Sequence, residues 1–395
     1  MAGGRFVFVG GCVRDVFLKE EPKDIDAEVY GLPMEKLKQV LELLDDVSEV
    51  GKHFGVLKLR NYPIDISLPR LDTKISAGHR GFSVKIDYSI SFKQAAKRRD
   101  LTINAIGYDP TRGEVLDPYK GVPDIHKRLL KPVDSKTFLE DPLRGLRVAQ
   151  LASRFHMTPH ASLISLCKVL NLKELPKERI SEEIKKLLLM GKKPSLGLSF
   201  LKESNQLQQF FSELSSLTEA LWEKTLENLD FAVSLRPQDP EKALVLMLSV
   251  LGHFLSDKNP GSFLKNFSFR DKIKIQMTIT LEEGRLLLRE KPIKKDSDLF
   301  WIGSRLQNKE SNWHDLILLL KSLSPNDPWV VDLTKKVFST GASHSKNLDP
   351  IVTGAHLIEK GLSPSKEFKD ILNKCLKIQY EQGITDPEEI LKEFF

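Results

Sequence analysis

The chain has 395 residues, too many for one ordinary core, and apolar and charged fractions of 41% and 29% that suit a soluble globular protein. No apolar run reaches the ~18 residues a membrane-spanning helix needs, and the net charge of +6 is mild, compatible with a polyanionic partner without requiring one. Cys12, Cys167 and Cys375 are scattered, with no CxxC pair or metal-ligand spacing, and no basic segment precedes the short apolar run at the start; together these predict a cytoplasmic protein with no signal peptide.

In chain order, Arg5–Val9 reads as a buried strand ending at Gly10-Gly11, and Val13–Lys19 as a short helix. Met34–Leu44 has apolar residues at helical spacing. Val56–Leu59 and Ile64–Leu68 read as paired strands around the turn Asn61-Tyr62-Pro63. Beyond about residue 136 the strand signal fades, and Leu143–Phe155, Ser181–Met190 and Leu221–Ser234 are helical in period. Pro237 and Pro240 break the chain before the apolar helix Ala243–Phe254. The polar stretch Gly341–Pro350 reads as a linker, and Ile351–Phe395 as a last helical unit. The predicted fold is a small α/β head, a mixed sheet with helices, followed by an all-α remainder. The boundaries are a head at 1–135, a neck at 136–205, a body at 206–340 and a tail at 341–395.

Five features carry possible chemistry. Gly10 and Gly11 between a strand and a helix would let a phosphate approach the backbone, with Arg14 adding a cation one turn in; the plainer alternative is a tight turn. Asp24 and Asp26 alternate on a strand and so share a face, as paired carboxylates must to hold magnesium; alone, they better describe a solvated acidic turn. Asp65, on a strand able to lie beside theirs, would complete a metal site or act as base for an attacking 3′-hydroxyl, or is an exposed polar strand residue. Arg98, Arg99 and Asp100, followed by Asn104, suit a triphosphate and a ribose hydroxyl, or form a basic, salt-bridged helix end. Asp141, Pro142, Arg144 and Arg147 have the pattern of a helix N-cap and first turn, in which Asp141 and Arg144 are spaced to form an ion pair.

Taken together and in this order, GGCVRD, PKDID, RRDLTINAIGYD, DPYKGVPDI and EDPLRGLRVAQLASRF resemble the class II CCA-adding enzyme and bacterial poly(A) polymerase family. The resemblance extends to Arg179–Glu183 and Gly191–Ser195 in the neck. It implies a nucleotidyltransferase head that adds C and A from CTP and ATP to the 3′ end of tRNA, with poly(A), CC-only or A-only addition as alternatives within the family. It assigns the triphosphate to Gly10, Gly11 and Arg14, magnesium to Asp24 and Asp26, ribose and phosphate to Arg98, Arg99 and Asp100, and the incoming base to Asp141 and Arg144, with Arg147 nearby. The last assignment has a physical logic. Cytosine and adenine each present an amino donor beside a ring-nitrogen acceptor, which an Asp acceptor and an Arg donor match; uracil and guanine present the reverse.

The segment Arg70–Lys85, with Lys74, Gly78, His79, Arg80 and Gly81, is similar to the family's mobile loop that helps the switch from C to A. Gln150 stands where the family often has another arginine. The body resembles an HD domain in which Lys224, Ser249 and Val250 replace metal-binding residues, which predicts a helical RNA platform without hydrolase activity. In the tail, Gly354, Leu357, Gly361 and Pro364 follow the family's C-terminal pattern, which implies backbone contacts to tRNA.

Overall fold

The computed structural model describes residues 3–50, 55–74, 82–255, 260–291, 293–344, 349–364 and 366–395. Packing divides the chain into two compact units, Met1–Ser215 and Ser216–Phe395.

The first unit opens with β1 (Arg5–Val9), α1 (Gly11–Phe17), β2 (Ile25–Tyr30), α2 (Met34–Glu42), β3 (Val47–Val50), β4 (Val56–Leu59) and β5 (Ile64–Ser67). The hairpin β6 (Arg70–Lys74) and β7 (Phe82–Ile86), α3 (Phe92–Ala96), β8 (Gly107–Asp109), β9 (Glu114–Leu116) and α4 (Gly121–His126) follow. The main sheet has seven strands in the order β3-β4-β5-β2-β1-β8-β9. Only β2 and β5 run parallel in it, with Asp26 in register with Asp65. Helix α1 starts two residues earlier than the sequence periodicity suggests. Gly10 takes a φ of 75°, which glycine adopts at no steric cost, and this turns the strand directly into the helix. The helix stops where Lys19 takes a positive φ.

Strand alternation gives this sheet two different faces. Ala27 and Val29 of β2, with Leu57 and Ile66 of the neighbouring strands, pack under Leu37 and Leu41 of α2. The intervening residues of β2, Asp26, Glu28 and Tyr30, must therefore point to the opposite side, as must Asp65 between Ile64 and Ile66 of β5. On that side Val7, Val9, Tyr30 and the α3 residues Phe92, Ala95 and Ala96 form a second core.

The segment predicted as a mobile loop, Arg70–Lys85, is a two-stranded sheet at its flanks: β6 pairs antiparallel with β7, Lys74 opposite Phe82. Gly78, His79, Arg80 and Gly81 lie outside the described residues.

Next come β10 (Leu129–Leu130), α5 (Ser135–Phe138), α6 (Leu143–Phe155), β11 (Thr158–Pro159), α7 (Ala161–Lys168), α8 (Lys177–Met190), α9 (Pro194–Glu203), α10 (Leu207–Phe210) and α11 (Ser212–Ser215). Parallel pairing of β10 with β11 ties α6 to the head. Helix α9 crosses α6 closely at Gly197, where a Cβ would stand 2.3 Å from the Ala149 carbonyl and from Ser153 Oγ.

The second unit is helical throughout its described residues: α12 (Glu219–Ala232), α13 (Pro240–Gly252), α14 (Asp271–Glu290), α15 (Asp296–Gln307), α16 (Trp313–Leu323), α17 (Pro328–Ser339), α18 (Gly354–Glu359), α19 (Lys366–Gln382) and α20 (Pro387–Leu391). Three of its helices begin at an Asp-Pro pair. Asp239, Asp327 and Asp386 each accept a backbone N–H of the first turn, and the following proline occupies a position whose N–H would have no helical partner. Trp313 is buried in the main core and donates its indole N–H to the Leu299 carbonyl at 3.0 Å. The stretch read as a linker, Gly341–Pro350, contains no helix or strand in its described part, and residues 345–348 lie outside the description. No helix among the described residues is long and apolar enough to cross a membrane.

Candidate active site

Strand β8 returns antiparallel beside β1, with Gly107 opposite Val9. This carries the Arg98–Asn104 segment to the end of β1 where Gly10 turns into α1, and the Gly10 N–H donates to the Ile106 carbonyl at 3.1 Å. Helix α6 reaches the same place from the other side. Between them lies a cavity of about 430 Å³ whose lining includes Gly11, Arg14, Asp26, Arg98, Arg99, Asp100, Asn104, Asp141, Arg144 and Arg147. These predicted residues, separated by up to 136 positions, thus meet in one place. Gly10, Asp24 and Asp65 are not in the lining, although Gly10 is adjacent: a Cβ there would come within 2.5 Å of Arg99 Nη1. Asp24 lies just before β2 and is exposed.

The lining residues are joined by a chain of hydrogen bonds. Arg147 Nε donates to Asp100 Oδ2 at 2.7 Å, and Asn104 Nδ2 donates to Asp100 Oδ1 at 2.9 Å. Asn104 Oδ1 accepts from Arg14 Nη1 at 2.6 Å, and Arg14 Nε and Nη2 donate to Asp15 Oδ1 at 2.8 and 2.6 Å. The Arg14 guanidinium also lies over the Phe155 ring, 4.7 Å from its centroid. Burial opposes the charge on Asp100, but Arg147 beside it, the Asn104 amide and Arg144 together hold its carboxyl well below the usual carboxylate range. Asp100 correspondingly raises Arg147 above the usual guanidinium value. Burial lowers Arg14, and Asp15 works against that.

Asp141 serves two structural partners. Its Oδ1 accepts the Leu143 N–H at 3.0 Å at the start of α6, and its Oδ2 meets Arg179 Nη2 at 3.2 Å. The ion pair expected between Asp141 and Arg144 is replaced by this one. Arg144 instead donates to the Thr137 and Arg98 carbonyls at 2.9 and 2.7 Å, because α5 and the segment that follows α3 present those carbonyls to it. Two of Asp141's four lone-pair sites and three of Arg144's five N–H groups remain beyond these bonds. Gln150 is buried on α6 and is not among the lining residues.

Asp26 is the metal-type carboxylate that lines the cavity. Desolvation first, then the negative charges of Asp65, Asp24 and Glu28, raise its carboxyl above the usual range, with Arg99 opposing. Crowded carboxylates of this kind suit a divalent cation, which relieves their repulsion. Asp65 Oδ1 meets Lys58 Nζ at 2.9 Å across the β4–β5 pair. Among the described residues no group of three or more His, Cys, Asp or Glu side chains forms a ready-made cage. Magnesium takes one or two carboxylates plus substrate phosphates and water rather than a full protein cage, so the donor set fits it.

Sequence reasoning gave no role to Glu28, Arg179 or Lys58. Glu28 is two positions beyond Asp26 on the same strand, so alternation placed it on the site face. Lys58 was similarly implied by the predicted strand pairing. Arg179 reaches Asp141 only through the packing of α8 on α6, and nothing local signals that.

A glycine turn, a carboxylate strand and an arginine-rich segment around one cavity define a nucleotidyltransferase-type head. Two parts of the chain are similar to known families: residues 6–131 match the Poly A polymerase head domain, and residues 161–218 match the probable RNA- and SrmB-binding site of polymerase A. A CCA-adding enzyme of Blochmanniella pennsylvanica (strain BPEN) is 37% identical over 214 residues, 53% of this chain and 50% of that protein. The match therefore spans about half the length of that relative. In overall fold the chain resembles the Bacillus stearothermophilus CCA-adding enzyme in complex with CTP, with a TM-score of 0.72 at 21% identity, covering 99% of this chain and 93% of that one. It also resembles the Thermotoga maritima CCA-adding enzyme complexed with tRNA, with a TM-score of 0.66 at 20% identity and coverage of 99% and 90%.

Proposed function

We propose that this protein is a template-independent nucleotidyltransferase that adds C and A, from CTP and ATP, to the 3′ end of tRNA. The observation that carries the reading is the cavity itself, where six arginines face three aspartates. That excess of positive charge suits a nucleoside triphosphate, and a donor–acceptor pair, Arg144 and Asp141, borders the same space. The relatives named above are CCA-adding enzymes, and solved structures of that fold include complexes with CTP and with tRNA.

In this reading Gly10, Gly11, Arg14, Arg98 and Arg99 hold the triphosphate, and Asp100 with Asn104 orients the ribose side. Asp24 and Asp26 would hold magnesium, which would supply electrostatic stabilisation of the phosphoryl transfer. The 3′-hydroxyl of the RNA attacks the α-phosphate and loses its proton, a step for which Asp65 is the base candidate; pyrophosphate leaves toward the arginines. Asp141 and Arg144 choose C or A over U or G by the pattern of donors and acceptors described above, and Arg147 keeps Asp100 in place. The head (1–135), neck (136–205), body (206–340) and tail (341–395) divide the work, the last two serving as an RNA platform, in the cytoplasm.

The test is incorporation on tRNA ending before CCA, after C or after CC, with CTP and ATP supplied singly and together. Stepwise addition that stops after one A supports the proposal. Long A tracts on any RNA would assign the chain to poly(A) synthesis, and addition limited to CC or to A would assign it to the partial reactions.

A further inference from the structure

Glu28 follows Asp26 on the site face of β2 and is only 1% exposed. Both of its oxygens are engaged. Oε2 accepts the Tyr30 hydroxyl at 2.5 Å, and Oε1 accepts Arg98 Nη2 at 3.0 Å and Arg99 Nη2 at 3.2 Å. Sequence neighbours such as Arg98 and Arg99 repel each other and would ordinarily turn apart into water. Here one buried oxygen draws both guanidiniums to the same wall of the cavity. Arg99 is further confined by the Gly10 backbone, where any Cβ would collide with it. Two arginines on one carboxylate keep a net positive charge directed at the cavity they line.

A buried carboxylate of this kind is costly unless its partners repay the desolvation. Arg98 and Arg99 do so together with Tyr30: two guanidiniums and one hydroxyl donate to its two oxygens. The cost is met on the side chains that face the cavity rather than in the apolar core behind the sheet. We propose that Glu28 is a positioning residue for the triphosphate. Braced by Tyr30, it fixes Arg98 and Arg99 as a pre-organised pair, so that the nucleotide does not bear the cost of ordering them. This rests on the nucleotidyltransferase reading above.

The test compares Glu28→Ala, which removes charge and acceptor, with Glu28→Gln, which keeps an acceptor oxygen of the same shape. Both are made in the full chain and followed by calorimetric binding of inorganic tripolyphosphate and of CTP, by KM and kcat for CTP and for the RNA primer, and by melting temperature. The expected result for Glu28→Ala is tripolyphosphate and CTP binding about tenfold weaker and a CTP KM raised by the same factor, with the primer KM unchanged. Glu28→Gln is expected to recover at least half of that loss on a logarithmic scale. Tyr30→Phe, which leaves both arginine contacts in place, should shift the same quantities in the same direction by two- to threefold. If Glu28→Ala binds tripolyphosphate as tightly as the wild type or tighter, or if it lowers only the melting temperature, Glu28 is a fold-stabilising ion pair and the proposal is overturned. A wild-type protein that binds tripolyphosphate but adds no nucleotide to RNA would overturn the enzymatic reading and leave the binding comparison to decide on Glu28. One that binds neither CTP nor tripolyphosphate would overturn both.

Discussion

Both compact units bury polar groups, but they bury different kinds. Among the described residues, the first unit encloses Arg14, Asp15, Glu28, Asp100, Asp109, Asp124 and Glu183, whereas the charged groups buried in the second are Glu283 and Asp315. The second unit's buried polar groups are mostly hydroxyls, and three of these return a hydrogen bond to their own helix. Thr225 donates to the Leu221 carbonyl, Ser249 to Val245 and Ser322 to Leu318, each about 2.8 Å away. A hydroxyl satisfied four residues back is compatible with an ordinary helical core. A buried ion is retained at a cost, and weakly supports stability. Much of the first unit's buried charge, from Arg14 through Asp100 to Glu28, is gathered around one cavity, which marks that unit as the chemical one and the second as a scaffold.

The sharpest way to break this contrast is to remove charge from the cavity. Asp26→Ala should lower the single-turnover rate of C addition by about 10³-fold or more, since metal stabilisation of the transferring phosphoryl contributes several kcal/mol. Its melting temperature should hold or rise, because the lost carboxyl is crowded by Asp65, Asp24 and Glu28. A rate within tenfold of wild type would remove Asp26 from the reaction. A smaller effect is expected from Asp141→Ala. Discrimination of CTP and ATP against UTP and GTP, measured as ratios of kcat/KM, should fall by about 10- to 100-fold, the scale of 1–3 kcal/mol for a bidentate base contact. Loss of the Leu143 N–H contact should also destabilise the protein by about 1 kcal/mol. Destabilisation with intact discrimination would leave Asp141 as a helix cap alone.

Much of this contrast was legible in the sequence. Alternation put Asp26 on one face of its strand, and the paired strands around Asn61-Tyr62-Pro63 placed Asp65 where it could join it. The Asp-Pro pattern read at Asp141-Pro142 recurs at the helix starts Asp239-Pro240, Asp327-Pro328 and Asp386-Pro387, but Asp109-Pro110, Asp117-Pro118 and Asp349-Pro350 start no helix, so the pair signals a start only where a helical sequence follows. What could not be read were choices of partner made by packing. Asp141 and Arg144 have the right spacing to pair, yet α8 delivers Arg179 to Asp141, and the Thr137 and Arg98 carbonyls take Arg144. The start of α1 was misjudged because the φ of Gly10, and so the direction in which the chain leaves β1, depends on the turn and not on apolar periodicity.

Arg147 offers a test in which stability and pH are linked. Arg147→Ala leaves Asp100 buried with Asn104 and the Leu101 N–H as partners. At neutral pH this should cost about 1–3 kcal/mol in denaturant unfolding, less than for a fully buried pair because the arginine is partly exposed to solvent. The folded protein holds the Asp100 carboxyl below its ordinary value, so its contribution is present above the unfolded carboxylate range near pH ~4 and is lost as pH falls through the folded value. The stability gap between wild type and Arg147→Ala should therefore narrow as pH drops below about 4. A gap that stays constant with pH would mean that Arg147 stabilises by packing rather than through the Asp100 charge.

The smallest effect is expected in the second unit, and its smallness is the informative part. Ser249 is fully buried, and its hydroxyl donates to the Val245 carbonyl one turn back on α13. Ser249→Ala removes one hydrogen bond, worth about 1 kcal/mol net, and replaces serine with the best helix former, which offsets about half of that. The carbonyl left behind keeps the helical N–H it already accepts, so no buried group is orphaned. Unfolding free energy should change by less than about 1 kcal/mol, and the rates of C and A addition should match the wild type. Val250, beside it, is also buried, as is every residue from Ala243 to Gly252, so this stretch of helix is core on all its faces. A loss of transfer in Ser249→Ala without a loss of stability would place chemistry, or an RNA contact essential to it, in the unit that the pattern of buried charge marks as scaffold.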